Sequence, residues 1–331
     1  MIDQKELLSK KIVVVIPAYR AENHISTVIL NIPSYIYKLI VVEDASPDNT
    51  ANIVAQLALS DNRILLVRQP QNGGVGSAML TGYHAALEMQ AEVIVKMDSD
   101  DQMDPAFLMD LIQPILGGKA DYTKGNRFLH ARQLVHMPLL RRIGNIGLSF
   151  LSKAASGYWN IFDTNNGFTA IHASLVPLLD KSAINPRFFF ETSLLLELSQ
   201  LGAVVKDVYI PARYQDETSN LSEIDMLFYF PPRLLTGYLR RIWIQYFLRD
   251  FNICSILLSS GSVLFFFGLI FGIYHWIKSA TLNILTPTGT IMVAVLPVIL
   301  GVQFLLQALT LDIQNIPREP LHKTMTDVRP A

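Results

Sequence analysis

Charged residues and cysteines are both scarce in this chain of 331 residues. Only 17% of the residues are Asp, Glu, Lys or Arg, fewer than in an ordinary soluble domain. The single cysteine, Cys254, excludes an intrachain disulfide and a cysteine-rich zinc site, and its apolar surroundings predict a buried, inert thiol. The 27 basic and 28 acidic side chains leave no basic excess, which argues against a nucleic-acid-binding protein.

The charge deficit is concentrated in the C-terminal third of the chain. Residues 253–277 and residues 288–311 contain no Asp, Glu, Lys or Arg. At 1.5 Å per residue, a helix of either length spans the roughly 30 Å hydrocarbon core of a bilayer. A buried helical hairpin of a soluble protein is the alternative, although uncharged runs this long are uncommon there. The sequence therefore predicts two transmembrane helices joined by a short connection.

Basic residues flank the two predicted spans on one side. The N-terminal stretch MIDQKELLSKK has no apolar core, so we expect no cleavable signal peptide. The connection between the spans contains only Lys278, whereas six basic residues lie outside it: Arg240, Arg241, Arg249, Arg318, Lys323 and Arg329. The positive-inside rule then predicts a cell-membrane protein with its soluble domain and tail in the cytoplasm.

Residues 222–250 mix aromatic side chains, leucines and arginines. They predict a pair of amphipathic helices at the membrane interface, broken at Pro231-Pro232. An amphipathic helix packed on the soluble domain is the alternative. The predicted organisation is a soluble domain (1–221), interfacial helices (222–250), two transmembrane helices (251–312) and a cytoplasmic tail (313–331). Gly261, Gly268 and Gly272 allow close helix packing, which leaves a homo-oligomer open.

The soluble part alternates between apolar runs and helical segments. Strands are predicted at 12–16, 38–43, 63–68, 92–97 and 203–210, and helices at 22–30, after Asp48, 77–90, 106–117, 138–155 and 191–201. This order is typical of βαβ units and a mostly parallel α/β sheet. In such sheets, functional residues collect at the carboxyl ends of the strands.

An acidic cluster follows one of these strands directly. Asp98, Asp100 and Gln102 are oxygen-bearing residues at alternate positions, a set suited to Mg²⁺ or Mn²⁺ held together with substrate phosphates. An EF-hand is a poor alternative because Met103 and Met109 occupy the positions that need Gly and Glu. A solvated acidic turn is the alternative.

Two other strand ends carry candidate nucleotide-binding residues. Asp44 ends one strand, and Tyr19 and Glu22 follow another, where they offer a ring and an acceptor to a nucleobase. Glu22 also suits the start of a helix. The turn Gly74-Val75-Gly76 lacks both the G-x-G-x-x-G and the P-loop pattern. It is equally consistent with close approach to a sugar or phosphate and with a plain strand-to-helix turn.

Five segments of the chain, taken in order, resemble family 2 glycosyltransferases of the GT-A (Rossmann-like) fold. They are PAYRAEN, VVEDASPDNT, NGGVGSA, MDSDDQ and DTNNGF. Within that family, the chain is most similar to polyprenyl-phosphate glycosyltransferases, which include dolichyl-phosphate mannose synthases and bacterial glucosyltransferases. The resemblance covers about residues 10–220, and the two-helix anchor matches the bacterial branch.

The resemblance implies roles for individual residues. Asp98 would lie near the ribose and diphosphate, while Asp100 and Gln102 would hold the metal. The other donor-binding positions are Pro17, Ala18, Tyr19, Glu22 and Asp44, and the basic positions facing the acceptor phosphate are Arg127, Arg141, Arg142 and Arg213. Relatives often carry a basic pair where Asn220 stands in this chain, so either Arg213 would supply the phosphate contact instead or the loop differs. Asp163 would orient or deprotonate the acceptor, with Glu191 as a rival carboxylate that is also typical of the first turn of a helix.

The implied activity is inverting transfer of a hexose to a polyprenyl phosphate such as undecaprenyl or dolichyl phosphate. The implied donor is a nucleotide diphosphate sugar, with UDP-glucose favoured, and the reaction would take place at the cytoplasmic face of the bilayer. A processive polysaccharide synthase is one alternative. A membrane scaffold that binds nucleotide sugars without turnover is another.

Overall fold

The structure is a computed structural model that describes residues 9–127, 139–164, 166–211 and 223–327. Of residues 139–146, 223–228 and 326–327 it describes the backbone alone. The described chain forms two compact units. Leu239–Ile316 is one unit, and the remainder of the described chain, including the segment from Pro317 onward, is the other.

A seven-stranded sheet organises the larger unit, in the order β3-β2-β1-β4-β6-β5-β7. The strands are β1 (Ile12–Ala18), β2 (Lys38–Glu43), β3 (Ile64–Arg68), β4 (Val93–Lys96), β5 (Tyr122–Asn126), β6 (Thr169–His172) and β7 (Val205–Tyr209). β6 runs antiparallel to both of its neighbours, and the other strand pairs are parallel. The predicted α/β fold with a mostly parallel sheet is confirmed.

Burial of both faces explains the apolar run in β1. Ile12, Val14 and Ile16 point into a core on one face of the sheet, whereas Val13 and Val15 point into the core on the other. Successive side chains of a strand alternate between faces, so a strand covered on both sides must be apolar throughout. Each of these fully buried side chains stabilises the fold by about 1.5–3 kcal/mol.

The helices lie close to their predicted positions. They are α1 (Ile25–Leu30), α2 (Thr50–Ser60), α3 (Val75–Glu88), α4 (Leu108–Leu116), α5 (Leu139–Ser156), α6 (Phe190–Leu201), α7 (Glu223–Trp243), α8 (Ile253–Leu282), α9 (Thr288–Gln314) and α10 (Leu321–Asp327). The prediction that a helix begins at residue 22 is wrong. The Glu22 amide donates to the Asp48 carboxylate instead, which holds this segment in a turn before α1.

The smaller unit contains two helices, α8 and α9, that are long and apolar enough to cross a membrane. They pack closely through glycines. A Cβ added at Gly268 would lie 2.6 Å from the Ala294 carbonyl oxygen, and one at Gly301 would lie 2.6 Å from the Phe265 nitrogen. These small residues therefore serve contacts within the chain, while the homo-oligomer stays a prediction. Cys254 is buried, as predicted.

The helix α7 runs through Pro231 and Pro232 without ending, so the predicted break there is wrong. Proline removes a backbone donor and normally disrupts a helix interior. In α7, tertiary packing outweighs that local preference, since Phe230 and Leu234 are buried against Phe189 and Ala155. Leu235, Leu239 and Trp243 remain exposed at helical spacing, and the interfacial role of this helix stays a prediction.

The C-terminal helix α10 packs on the sheet unit through a buried carboxylate. Asp121 accepts hydrogen bonds from the backbone nitrogens of Leu321 (2.9 Å) and His322 (3.0 Å) and from His322 Nδ1 (2.7 Å). The His322 ring stacks on His172, with 4.3 Å between centroids. Burial alone would raise the pKa of Asp121, but the hydrogen bonds from His322 and its neighbours outweigh burial and lower it.

We predict that Asp121→Asn releases α10. The substitution places an amide donor where backbone donors already point, so at least one buried hydrogen bond is lost. Tryptic cleavage at Lys323 should become about tenfold faster in detergent-purified protein, because cleavage follows the population of the locally open state. Asp110→Asn, at an exposed carboxylate of α4, is the matched control. Equal cleavage rates in the two variants would contradict the anchoring role of Asp121.

Candidate active site

Two loops at the carboxyl ends of β1 and β2 are joined by hydrogen bonds. The Arg20 nitrogen donates to Ser46 Oγ (2.7 Å), and the Ala21 nitrogen donates to Thr50 Oγ1 (3.0 Å). Glu22 Oε2 accepts from the Asn49 nitrogen at 3.0 Å, so the carboxylate predicted to meet a nucleobase braces the loop pair. The segments PAYRAEN and DASPDNT therefore form one surface.

Asp48 is the centre of this loop pair. Its carboxylate accepts from Ser46 Oγ (2.6 Å), Thr50 Oγ1 (2.7 Å) and the Glu22 nitrogen (3.1 Å). Partial burial opposes ionisation, but these hydrogen bonds outweigh it and lower the pKa of Asp48 to about 2. Tyr19, which follows β1, is 43% exposed, and this exposure leaves its side chain accessible to a base.

Asp44 is buried at the end of β2 and holds the glycine turn in place. Its two carboxylate oxygens accept from the nitrogens of Gly73 and Gly74, both at 2.8 Å, and its own nitrogen donates to the Ala18 carbonyl oxygen at 3.0 Å. Gly74 has a φ of +88°. Two amides of the turn are therefore bound within the protein, which favours a strand-to-helix turn. The donor-binding roles of Pro17, Ala18 and Asp44 stay predictions.

Three residues other than glycine adopt positive φ angles at the ends of β1, β2 and β4. They are Arg20 (53°), Ala45 (50°) and Asp101 (60°). Left-handed backbone costs an L-residue roughly 1–2 kcal/mol and persists where the surroundings over-determine it. Strain of this kind concentrates at functional sites. The three residues lie at neighbouring strand ends, at the same edge of the sheet as the acidic cluster.

Asp98 at the end of β4 forms an ion pair with a buried lysine, which the sequence did not indicate. Lys96 Nζ lies 2.5 Å from Asp98 Oδ1 and 3.1 Å from Glu191 Oε1, and it also donates to the Gly167 carbonyl oxygen at 3.3 Å. The Lys96 side chain is only 1% exposed. Burial disfavours its charged form, but the Asp98 and Glu191 carboxylates outweigh burial and raise the pKa of Lys96.

The carboxylate of Asp100, two residues after Asp98, accepts from the Gln102 nitrogen at 3.1 Å. Burial and the nearby Asp98 charge raise its pKa. No group of three His, Cys, Asp or Glu side chains with metal-binding geometry occurs among the described residues. A cation here would therefore need oxygens from Gln102 and a substrate, and the metal-holding roles of Asp100 and Gln102 stay predictions.

Arg127 and Asp163 pair in a fork. Arg127 Nε donates to Asp163 Oδ2 at 2.8 Å and Nη2 donates to Oδ1 at 3.1 Å, while Asn166 Nδ2 donates to Oδ2 at 3.2 Å. Burial alone would raise the pKa of Asp163, but the Arg127 guanidinium lowers it below its usual range. Asp163 is therefore an ionised, immobilised carboxylate. Arg127 keeps 40% of its side chain exposed.

A second buried lysine, Lys124, lies beside this pair on β5. Its Nζ is 3.9 Å from Asp207 Oδ1, and burial lowers its pKa although Asp163 and Asp207 oppose that effect. Sequence reasoning missed both Lys96 and Lys124. The available signal was a lysine inside a strand of a covered sheet, since such a charge is tolerated only with buried partners.

The side chains of three predicted acceptor residues are outside the described part of the chain. Arg213 lies outside the described residues, as does Asn220. Arg141 and Arg142 belong to α5, but only their backbone is described. Their predicted contacts with an acceptor phosphate stay predictions.

Comparisons with known proteins agree with this architecture. The model of glycosyl transferase family 2 matches residues 13–177. The UDP-N-acetylglucosamine–dolichyl-phosphate N-acetylglucosaminyltransferase of Methanococcus voltae is 31% identical over 195 residues, covering 55% of this chain and 77% of that protein. The undecaprenyl-phosphate mannosyltransferase of Micrococcus luteus is 27% identical over 173 residues, covering 52% and 70%.

A solved structure with the same fold is the glucosyl-3-phosphoglycerate synthase of Mycobacterium tuberculosis, in complex with Mn²⁺, UDP-glucose and phosphoglyceric acid. It aligns with a TM-score of 0.50 and 20% identity over 72% of this chain and 82% of that one. This likeness supports the GT-A fold alone. The family model and the Methanococcus voltae relative show that the chain belongs to glycosyltransferase family 2. The chain is thus a glycosyltransferase, and it is similar to enzymes that transfer sugars to polyprenyl phosphates.

Proposed function

We propose that the chain transfers a hexose from a nucleotide diphosphate sugar to a polyprenyl phosphate at the cytoplasmic face of the membrane, with inversion. The observation that carries this proposal is a pair of hydrogen-bonded segments, residues 163–164 and 166–168. Asp163 holds Arg127, the Asn166 side chain donates to Asp163, and the Gly167 carbonyl oxygen accepts from Lys96. The predicted acceptor residue and the acidic donor motif are therefore tied to neighbouring segments.

The acceptor chemistry suits an immobilised carboxylate. A phosphate monoester is already largely ionised at neutral pH, because its second pKa is about 6. Such a nucleophile needs little help from a general base. Asp163 is held by Arg127 and stays ionised, so its proposed role is to position the guanidinium, whose exposed face is suited to a phosphate.

The donor side suits a leaving nucleotide diphosphate. Asp98 and Asp100 place two carboxylates at one strand end, and the pKa of Asp100 is raised by burial and by Asp98. A divalent cation would relieve this crowding, so the donor set fits Mg²⁺ or Mn²⁺ held by Asp100, Gln102 and substrate oxygens. Such a cation stabilises negative charge on the departing diphosphate. The protein contributes the alignment of phosphate and anomeric carbon for a single in-line displacement.

The position of α10 supports the proposed topology. This helix follows α9 in the chain, yet it packs on the sheet unit through Asp121. If α8 and α9 both cross the bilayer, the tail and the sheet unit must lie on the same side. The flanking arginines and lysines favour the cytoplasmic side.

The decisive experiment is a transfer assay with protein purified in detergent. It contains undecaprenyl phosphate, Mg²⁺ or Mn²⁺, and labelled UDP-glucose, UDP-N-acetylglucosamine or GDP-mannose in separate reactions. We expect an organic-extractable lipid-linked sugar, and we propose glucose as the preferred one. Water-soluble polymer would instead support a polysaccharide synthase. Donor binding without any product would support a non-catalytic scaffold.

We predict that Arg127→Ala raises the KM for polyprenyl phosphate at least tenfold while the Kd for the nucleotide changes less than threefold. The loss of a bidentate phosphate contact accounts for the expected size. Arg63→Ala is the matched control, because Arg63 forms a similar fork with Asp61 beside β3. Equal weakening of donor and acceptor would move Arg127 to the donor side and contradict the assignment.

A further inference from the structure

Lys96 is a buried cation in the centre of the candidate site. It is the last residue of β4, between β1 and β6 in the sheet. Its Nζ contacts three separate segments: the acidic motif at Asp98, the segment 166–168 at Gly167, and the first turn of α6 at Glu191. Few single side chains could join the predicted donor and acceptor segments in this way.

The Gly167 backbone lies close to the Lys96 ammonium group. A Cβ added at Gly167 would lie 2.5 Å from both Lys96 Nζ and Asp98 Oδ2, so only glycine lets the loop approach this closely. Asp98 itself is 31% exposed, whereas Lys96 is 1% exposed. Lys96 therefore contacts the Asp98 carboxylate on the side that faces the protein interior.

The charges around Asp98 show what this support does. Lys96 faces two carboxylates, Asp98 and Glu191, and Asp100 lies two residues after Asp98 in the same acidic motif. With all four groups ionised, the cluster has a net charge of −2. Removal of the lysine charge would make it −3, and removal of the Glu191 charge would make it −1. The Lys96–Glu191 pair thus adjusts the negative potential at the acidic motif.

We propose that Lys96 is a positioning residue that holds Asp98 and, balanced by Glu191, sets the affinity of the acidic motif for a divalent cation. This inference rests on the proposed metal-assisted transfer. Lys96 acts through Asp98, its carboxylate partner in the acidic motif. Glu191 has a defined part as counter-charge, beyond that of an acid in the first turn of a helix.

The test uses three variants of the full chain in detergent: Lys96→Met, Glu191→Gln and the double variant. Mn²⁺ binding is measured by the loss of the free-ion paramagnetic resonance signal, with and without UDP. We expect Lys96→Met to bind Mn²⁺ about tenfold more tightly and Glu191→Gln about tenfold more weakly, the effect of one unit charge nearby at intermediate dielectric. The double variant should return to within about threefold of the wild type.

Turnover supplies the second readout. We expect Lys96→Met and the double variant to lose at least about 100-fold in kcat, since Asp98 is no longer held in place. Opposite signs for the two single variants, with recovery of affinity in the double variant, cannot arise from misfolding. The double variant also keeps the test informative if Lys96→Met fails to fold, because it leaves no additional unpaired buried charge.

Lys124→Met is the control for loss of a buried lysine. Lys124 is equally buried, but its nearest carboxylate partner is Asp207, so this variant should leave Mn²⁺ affinity unchanged. If both single variants shift Mn²⁺ affinity in the same direction, or neither shifts it, the proposal is overturned. If the wild type binds no Mn²⁺ yet forms lipid-linked sugar, both this proposal and metal assistance are overturned, while the transfer reaction itself stands.

Discussion

Replacement of Asp100 by Asn should lower kcat by about 1000-fold, or roughly 4 kcal/mol of transition-state stabilisation. The substitution removes one negative charge while it keeps the size of the side chain and the acceptor for the Gln102 nitrogen. The expected loss is therefore electrostatic. Mn²⁺ affinity should fall in parallel when it is measured directly in the presence of UDP.

Asp101→Asn is the control for this prediction. Asp101 is the adjacent acid of the same motif, and its positive φ of 60° is a conformation that asparagine also tolerates. We expect kcat to stay within about threefold of the wild type, as is usual for a substitution that removes no specific interaction. Retained turnover in Asp100→Asn, or an equal loss in both variants, would remove Asp100 from the metal-holding role.

The sheet could be predicted because its information is local. Val13–Val15 and Val93–Val95 are apolar throughout, since both faces of the sheet are covered. The residues at the ends of these runs indicate where the strands stop and the turns begin. Five of the seven strands were predicted to within two residues at each end. The two that were missed, β5 and β6, are short or carry polar residues, such as Lys124 in YTKGN.

The internal charges could not be predicted because their partners are distant in the chain. Lys96 meets Gly167 from 71 positions away, and Asp121 meets His322 from 201 positions away. A sequence pattern shows that a strand contains a lysine, but only the fold brings the carboxylates that permit its burial. The same holds for Asp44, whose position was predicted while its contacts with the glycine turn were not.

A glycine lies at the contact between α3 and β1. Gly82 lies inside α3, where a Cβ would be 2.2 Å from Val15 Cγ1. Val15 is fully buried at the centre of the sheet, and a β-branched side chain has little rotamer freedom with which to move aside. The close packing of α3 on β1 therefore depends on the missing side chain at this position.

Gly82→Leu should destabilise the sheet unit by at least ~3 kcal/mol, because overpacking exceeds the ~1 kcal/mol gained from better helix propensity. In thermal unfolding followed by intrinsic fluorescence, this corresponds to a fall in Tm of about 10 °C. Gly147→Leu is the matched control, since Gly147 lies inside α5 with no atom within 4 Å of its added Cβ. There the gain in helix propensity is unopposed, and Tm should stay the same or rise. A similar Tm for both variants would mean that α3 can move away from β1, and that the glycine is not what sets their separation.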